Sequence, residues 1–238
     1  MMRPFFVYHL RKDRFMNRKY LLALFFVFAV GCRAQTRSEL RDSLKEAAER
    51  LAYYPDSTDL RLRKAGYNLR LEQWEYAKEE YDRILNADPV NPAALFYRAF
   101  VNEKMHRNGF ARRDYESLLA IVPGHFEGQL GLALLNQKDR RFTEALDQMN
   151  RLVGMYPDNA VGYAARAGVE LEQGMAELAA FDYEEALKRD AGNKEYRTDY
   201  AEALIRAKRT AEARRQLDTL VRMGVARTAL ADFYRRLK

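Results

Sequence analysis

The 238-residue chain has one cysteine, three histidines, one tryptophan and six prolines. A lone cysteine, Cys32, excludes an internal disulfide framework and any cluster of cysteine metal ligands. The histidines, His9, His106 and His125, are scattered, and no Cys, His, Asp or Glu spacing matches a metal site. Neither a G-x-S-x-G elbow nor a phosphate-cradling glycine loop occurs. The chain therefore reads as a non-enzyme with no cofactor and no metal. Charge of one sign is also scarce beyond the leader. The net charge is +7, but residues 1–31 hold six basic side chains against one acidic, and the remainder holds 35 against 33. With no stripe of arginines and aromatics, nucleic acid is excluded as a partner.

What is present begins with "MNRKYLLALFFVFAVGC", residues 16–32. Arg18 and Lys19 form a positive start, and Tyr20–Val30 is an apolar run of 11 residues. A spanning helix needs about 20, so the run has the length of a signal-peptide core. Small residues and then Cys32 follow. The string "AVGC" resembles the bacterial lipobox. That resemblance implies that residues 16–31 are a signal peptide, cut before Cys32, whose sulfur takes a diacylglycerol. Each buried methylene contributes about 0.8 kcal/mol and one chain anchors only marginally, so several acyl chains hold a protein on a membrane. A plain secretory signal and an uncleaved anchor are the alternatives. Residues 1–15 read as an extension ahead of the true start at Met16. Residue 33 is Arg and not Asp, so similarity to enteric lipoproteins implies the outer membrane, facing the periplasm.

Beyond a linker at 32–37 the chain repeats. Pro55, Pro89, Pro123 and Pro157 stand 34 residues apart, and two further steps reach Ala191 and Val225. With these residues numbered 32 in each unit, position 8 is Ala65, Ala99, Ala133, Ala167 and Ala201, and position 20 is Ala77, Ala111, Ala145, Ala179 and Ala213. Position 24 is Tyr81, Tyr115, Met149, Tyr183 and Leu217; position 27 is Ile84, Leu118, Leu152, Ala186 and Leu220. This period and these residue types resemble the tetratricopeptide repeat. The resemblance implies an all-α, right-handed superhelical solenoid of five helix-turn-helix repeats with flanking helices. The repeats are 58–91, 92–125, 126–159, 160–193 and 194–227, each with helix A near positions 1–14 and helix B near 17–30. Residues 38–57 form a leading helix or degenerate repeat, and 228–238 a capping helix, making twelve helices in all. Proline ends a helix because it cannot continue the ladder. At the last two junctions Gly192 and Gly224 are expected to act as C-caps.

By the same resemblance, helix A lines a concave groove through positions 2, 5, 9 and 12. Leu62, Phe96, Phe100, Leu130, Leu134 and Leu171 then form an apolar binding patch with Tyr97 beside it. Glu195, Asp199 and Glu202 form an acidic edge suited to a basic partner. The rival arrangement covers Phe96 and Phe100 with the leading helix, residues 38–53. Asn68, Asn102 and Asn136 recur at position 11, either as a row binding a peptide backbone or, favoured here, as amides bonding to the A–B turn beside them. The clamp with which related chaperone-binding proteins hold a carboxylate is absent, its places being taken by Leu62, Gly66, Tyr97, Glu127 and Gly131. The expected function is an outer-membrane-anchored periplasmic adaptor that binds a protein or peptide of the cell envelope in its groove, with lipid as its sole membrane contact. A self-associating assembly element, or a secreted repeat protein without a lipid, are the alternatives.

Overall fold

The computed structural model describes residues 36–237; the expected signal peptide and Cys32 lie outside the described residues. Among the described residues all regular structure is helical: α1 (Arg37–Tyr53), α2 (Thr58–Arg70), α3 (Trp74–Ala87), α4 (Pro92–Lys104), α5 (Asn108–Ile121), α6 (Phe126–Lys138), α7 (Phe142–Met155), α8 (Ala160–Glu172), α9 (Ala176–Arg189), α10 (Lys194–Arg206), α11 (Thr210–Arg222) and α12 (Ala231–Arg235). A 3-10 turn, Arg227–Leu230, leads into α12, so the C-terminal segment is a turn plus a short helix rather than one continuous helix. In every repeat helix A occupies positions 1–13, and helix B begins at position 17.

The ten phased alanines are all 0% exposed. A methyl group is the largest side chain that lets two helix axes approach to about 8 Å. The residues at positions 24 and 27 fill the space beside each contact, and all ten are at most 2% exposed.

The helix-A starts share one device. Position 34 supplies the N-cap: Asn91, Asn159 and Asn193 accept through Oδ1 from backbone N–H groups one turn ahead. Ser57 does the same before α2, and His125 takes the place before α6, its Nδ1 accepting from Gly128 N at 3.1 Å. Ahead of α1, Thr36 and Glu39 bond each other's backbone N–H in a capping box.

The turns from helix A to helix B share another. The N–H of position 16 donates to the carbonyl of position 11, as in Gln73 to Asn68, Arg107 to Asn102, Arg141 to Asn136, Met175 to Glu170 and Arg209 to Leu204. This is the six-to-one bond of a Schellman motif and needs a left-handed residue at position 15. Glycine holds that place once, as Gly174 at φ 75°. Elsewhere it is Glu72, His106, Arg140 and Lys208, at φ between 58° and 61°. Gly224, at φ 87°, caps α11 as expected. Gly192 does not cap α9. The cap there is Asp190, and Asn193 N donates to its carbonyl as Asn91 N does to Asp88 at a proline junction, so the backbone keeps the turn without the proline.

The helices form two compact units. The first, residues 36–132, packs α1 on α2 and continues through α3, α4 and α5 to the first half of α6. Its core joins Leu69, Tyr81, Ile84, Leu95, Val101 and Leu118. Gly131 lies against the Tyr115 ring so closely that a Cβ there would sit 2.6 Å from Cζ. The second unit, residues 133–237, runs from the second half of α6 through α11 to α12. Leu230 and Leu237 of the terminal segment enter its core beside Leu217 and Leu220.

Left-handed backbone costs a non-glycine residue about 1–2 kcal/mol. Lys208→Gly is therefore expected to raise, and Gly174→Ala to lower, the unfolding free energy by about 1 kcal/mol each, read as a shift of the urea midpoint. Equal midpoints for Gly174→Ala and the parent would refute the assignment of strain to position 15.

Candidate functional site

The polar chemistry inside the repeats collects at position 23 of helix B. In the second repeat Arg98 makes a two-pronged bond to buried Asp114, with Nε and Nη2 at 2.9 and 2.6 Å from its oxygens. Its Nη1 reaches back to Asp82 of the preceding repeat at 2.9 Å. The fourth repeat copies this. Arg166 bonds Asp182 at 2.5 and 2.7 Å and reaches back to Asn150 at 3.0 Å. In the first repeat Glu80 accepts from Arg61 at 3.0 Å and Lys64 at 2.7 Å. The third and fifth repeats carry neutral amides instead, Gln148 accepting from Asn136 and Gln216 from Arg197.

Two of the position-11 asparagines, expected to bond the A–B turn, belong to these nodes. Asn102 Nδ2 donates to Asp114 at 3.2 Å, and Asn136 Nδ2 donates to Gln148 at 2.8 Å. Both side chains face helix B of their own repeat and are buried. They offer nothing to a peptide backbone, and the adjacent turn is served by their main-chain carbonyls.

The fourth repeat breaks the series. Position 11 is Glu170, 7% exposed, and it shares its node with Asp182. Oε2 of Glu170 is buried without a hydrogen-bond partner. Burial, and then the negative Asp182, push its pKa up to about 7, against the pull of Arg166.

The helix-A residues expected to line a groove divide by burial. In the first unit Leu62, Phe96, Tyr97 and Phe100 are half-buried. Phe96 packs edge-on to Tyr97 at 5.1 Å between ring centres and stacks on His125 at 5.3 Å. Tyr97 in turn stacks on Tyr81, and Lys104 Nζ sits 5.1 Å above the Phe100 ring. These neighbours come from α3, α4 and the turn before α6, while α1 packs on α2. Leu130 is 0% exposed and presents no surface.

In the second unit Leu134 is half-buried, and Leu171 is part of the core with Ala167 and Tyr183. The expected acidic edge is largely closed. Asp199 is buried, and only Glu195 is exposed. Glu202 accepts two bonds from Arg236, at 2.7 and 2.9 Å, and one from Arg206 at 2.8 Å. Burial disfavours its charge, but these cations outweigh it and hold its pKa below the usual carboxylate value. Leu130, Leu171, Asp199 and Glu202 are thus not open groove residues. Packing or an internal partner already uses them.

An unanticipated cleft of about 400 Å³ opens in the first unit, lined by Gln73, Trp74, Glu75, Tyr76, Met105 and Arg107. Arg107 and Glu75 close one side as an ion pair at 2.9 Å. The position-23 nodes also went unnoticed in the sequence, although Lys64–Glu80, Arg98–Asp114 and Arg166–Asp182 share one spacing of 16 residues. Among the described residues no helix is long and apolar enough to cross a membrane, and no three potential metal ligands converge.

Residues 170–237 match the tetratricopeptide repeat family. Over 121 residues the chain is 30% identical to ER membrane protein complex subunit 2 of Xenopus tropicalis, covering 50% of this chain and 41% of that one. The match thus spans well under half the length of that relative. Among solved structures, a tetratricopeptide repeat protein from Parabacteroides merdae superposes with a TM-score of 0.64 at 17% identity, covering 84% of this chain and 78% of its own. The Cut9–Hcn1 hetero-tetramer of the APC/C gives 0.67 at 14% identity, covering 82% of this chain and 40% of that one. The fold is that of tetratricopeptide repeats.

Removing one partner of a buried ion pair costs about 3–5 kcal/mol, because the other charge stays buried alone. Asp114→Ala is expected to lower stability by about 3 kcal/mol in urea denaturation. Adding Arg98→Leu and Asp114→Gln together, which recreates Leu132 and Gln148 of the third repeat, is expected to lose far less. A harmless Asp114→Ala would show that the node carries no stability.

Glu170 predicts a pH dependence. Its pKa is raised in the folded chain, so the folded state keeps a proton that the unfolded chain has released above about 4.5. Its stabilising contribution is complete below that value, falls as pH rises, and is lost above about 7. Glu170→Gln is expected to flatten this part of the stability–pH curve and raise stability above neutrality. Superimposable curves for parent and variant would show that Glu170 is not the group responsible.

Proposed function

We propose that the chain is an envelope adaptor, tethered by lipid on Cys32 to a bacterial outer membrane and holding another protein in the periplasm. The observation that carries the binding part is the half-buried helix-A row of the first unit, Leu62, Phe96, Tyr97 and Phe100. Aromatic side chains held by neighbours on one edge and open on the other suit a protein contact, because they give up little rotamer freedom on binding. Tetratricopeptide scaffolds bind protein partners and are generally non-enzymatic. Similarity to a subunit of a membrane protein complex supports an unlike partner over self-assembly. The tether rests on the "AVGC" string that ends the apolar leader.

A photoreactive residue in place of Phe100 is expected to capture one dominant envelope protein in cells, and Leu62→Asp to abolish the capture. Crosslinks confined to copies of this chain would replace the adaptor reading with self-association. Cys32→Ser is expected to move the chain from the membrane to the soluble fraction, and unchanged membrane retention would rule out the lipid tether.

A further inference from the structure

The repeats serve as controls for one another on their outward side. Positions 16, 19 and 22 lie one turn apart at the start of helix B. They are Gln73, Tyr76 and Glu79 at α3; Arg107, Phe110 and Arg113 at α5; Arg141, Glu144 and Asp147 at α7; and Arg209, Glu212 and Arg215 at α11, the first of each being the N-cap residue. Each set contains charge. At α9 the same places hold Met175, the N-cap residue, and Leu178 and Phe181, which are 41%, 55% and 56% exposed. The apolar ring on α5, Phe110, is itself 55% exposed and has the Arg113 guanidinium 4.6 Å from its centre. The α9 ridge is the one outward set that is apolar throughout.

Exposed carboxylates lie beside it. Glu177 and Glu184 follow one edge of the ridge, with side chains 65% and 50% exposed. Glu177 has only a 3.3 Å contact with Arg209, and Glu184 a 3.9 Å contact with Lys188. The cations at the end of α9 are already used. Lys188 and Arg189 both bond Glu185, at 2.6 and 2.8 Å, and Arg189 also bonds the Pro157 carbonyl. Three half-exposed side chains offer far less than the ~800 Å² per partner of a standard stable interface. That size argues against a permanent dimer and for a slender ligand that meets one ridge.

We propose that the outward face of α9 docks an amphipathic helix whose apolar ridge is flanked by lysine or arginine. Met175, Leu178 and Phe181 take the apolar residues, spaced one turn apart as the side chains of a partner helix are. Glu177 and Glu184 face the flanking cations and set the orientation. This surface is separate from the helix-A row at Phe100, and the inference does not depend on the adaptor reading.

The test uses two fluorescent helical peptides with identical leucine ridges, one flanked by lysines and one by glutamates, titrated onto the full chain in low salt. The lysine-flanked peptide is expected to bind about tenfold more tightly, with the preference fading in high salt. Leu178→Asp with Phe181→Asp is expected to weaken it about tenfold or more, with an unchanged helical spectrum because both sites are surface-exposed. Glu177→Lys with Glu184→Lys is expected to invert the preference, while Phe100→Asp leaves it intact. Equal binding of the two peptides, or binding that survives the double aspartate variant, would overturn the proposal. So would a dimer, or binding to phosphatidylethanolamine–phosphatidylglycerol vesicles, that disappears with Phe181→Asp, since the occupant would then be a second copy or a bilayer.

Discussion

The contact between alanines at positions 8 and 20 fixes the rest of the structure. Each repeat brings helix A and helix B together where neither has more than a methyl group, and all ten of those methyls are shut off from water. Overpacking such a contact costs about 1–3 kcal/mol because the backbones cannot part without dislodging their neighbours. The large side chains are displaced to positions 24 and 27, where Tyr81, Tyr115 and Tyr183 fill the flanks of the contact. Polar groups are displaced too. Position 23, one residue from the buried position 24, is where helix B takes in a charge or an amide, and helix A must answer it from positions 4, 7 or 11.

That answer differs between repeats and gives each its own stability. The second and fourth use an arginine at position 7 that grips its own aspartate and reaches back one repeat. The first and fifth use an arginine at position 4, which also bonds the main-chain carbonyl six residues earlier, Arg61 to Pro55 and Arg197 to Ala191. In a repeat protein, stability is close to a sum over units and their interfaces. A bond that reaches back from one repeat to the last therefore couples neighbours, and one that reaches the preceding linker fixes a single junction. Glu170 puts a second acid into a node that has an amide donor in the second and third repeats, so one repeat acquires a titration that those two lack.

What could be read from the sequence was whatever repeats in residue type. The alanines, the large residues at 24 and 27 and the proline spacing were legible because one packing contact imposes them five times. The left-handed turns were not. Position 15 is glycine once and otherwise Glu, His, Arg or Lys, so the backbone geometry recurs without its usual signature. Exposure along helix A was legible only in part, because it is set by residues distant in sequence. Glu202 looks free until Arg236, 34 residues on, closes over it. Leu171 is at a position that points outward in an idealised repeat and instead joins the core beside Tyr183.

The same reasoning shows where specificity can reside. Inward positions are constrained by the neighbouring helix, so a change there is first a change in stability. Outward positions on helix B carry no such constraint, and in four repeats they hold the charged residues that solvation favours. Keeping methionine, leucine and phenylalanine together in water has no counterpart inside the fold to explain it. A core residue such as Leu152 is accounted for by what it packs against. Leu178 and Phe181 are more than half exposed on a helix whose buried side is already filled by Ala179, Tyr183 and Ala186, and packing among the described residues does not account for them. Departures from the repeat on the outward face are therefore more informative about partners than residues shared by every repeat, which only restate how the scaffold holds together.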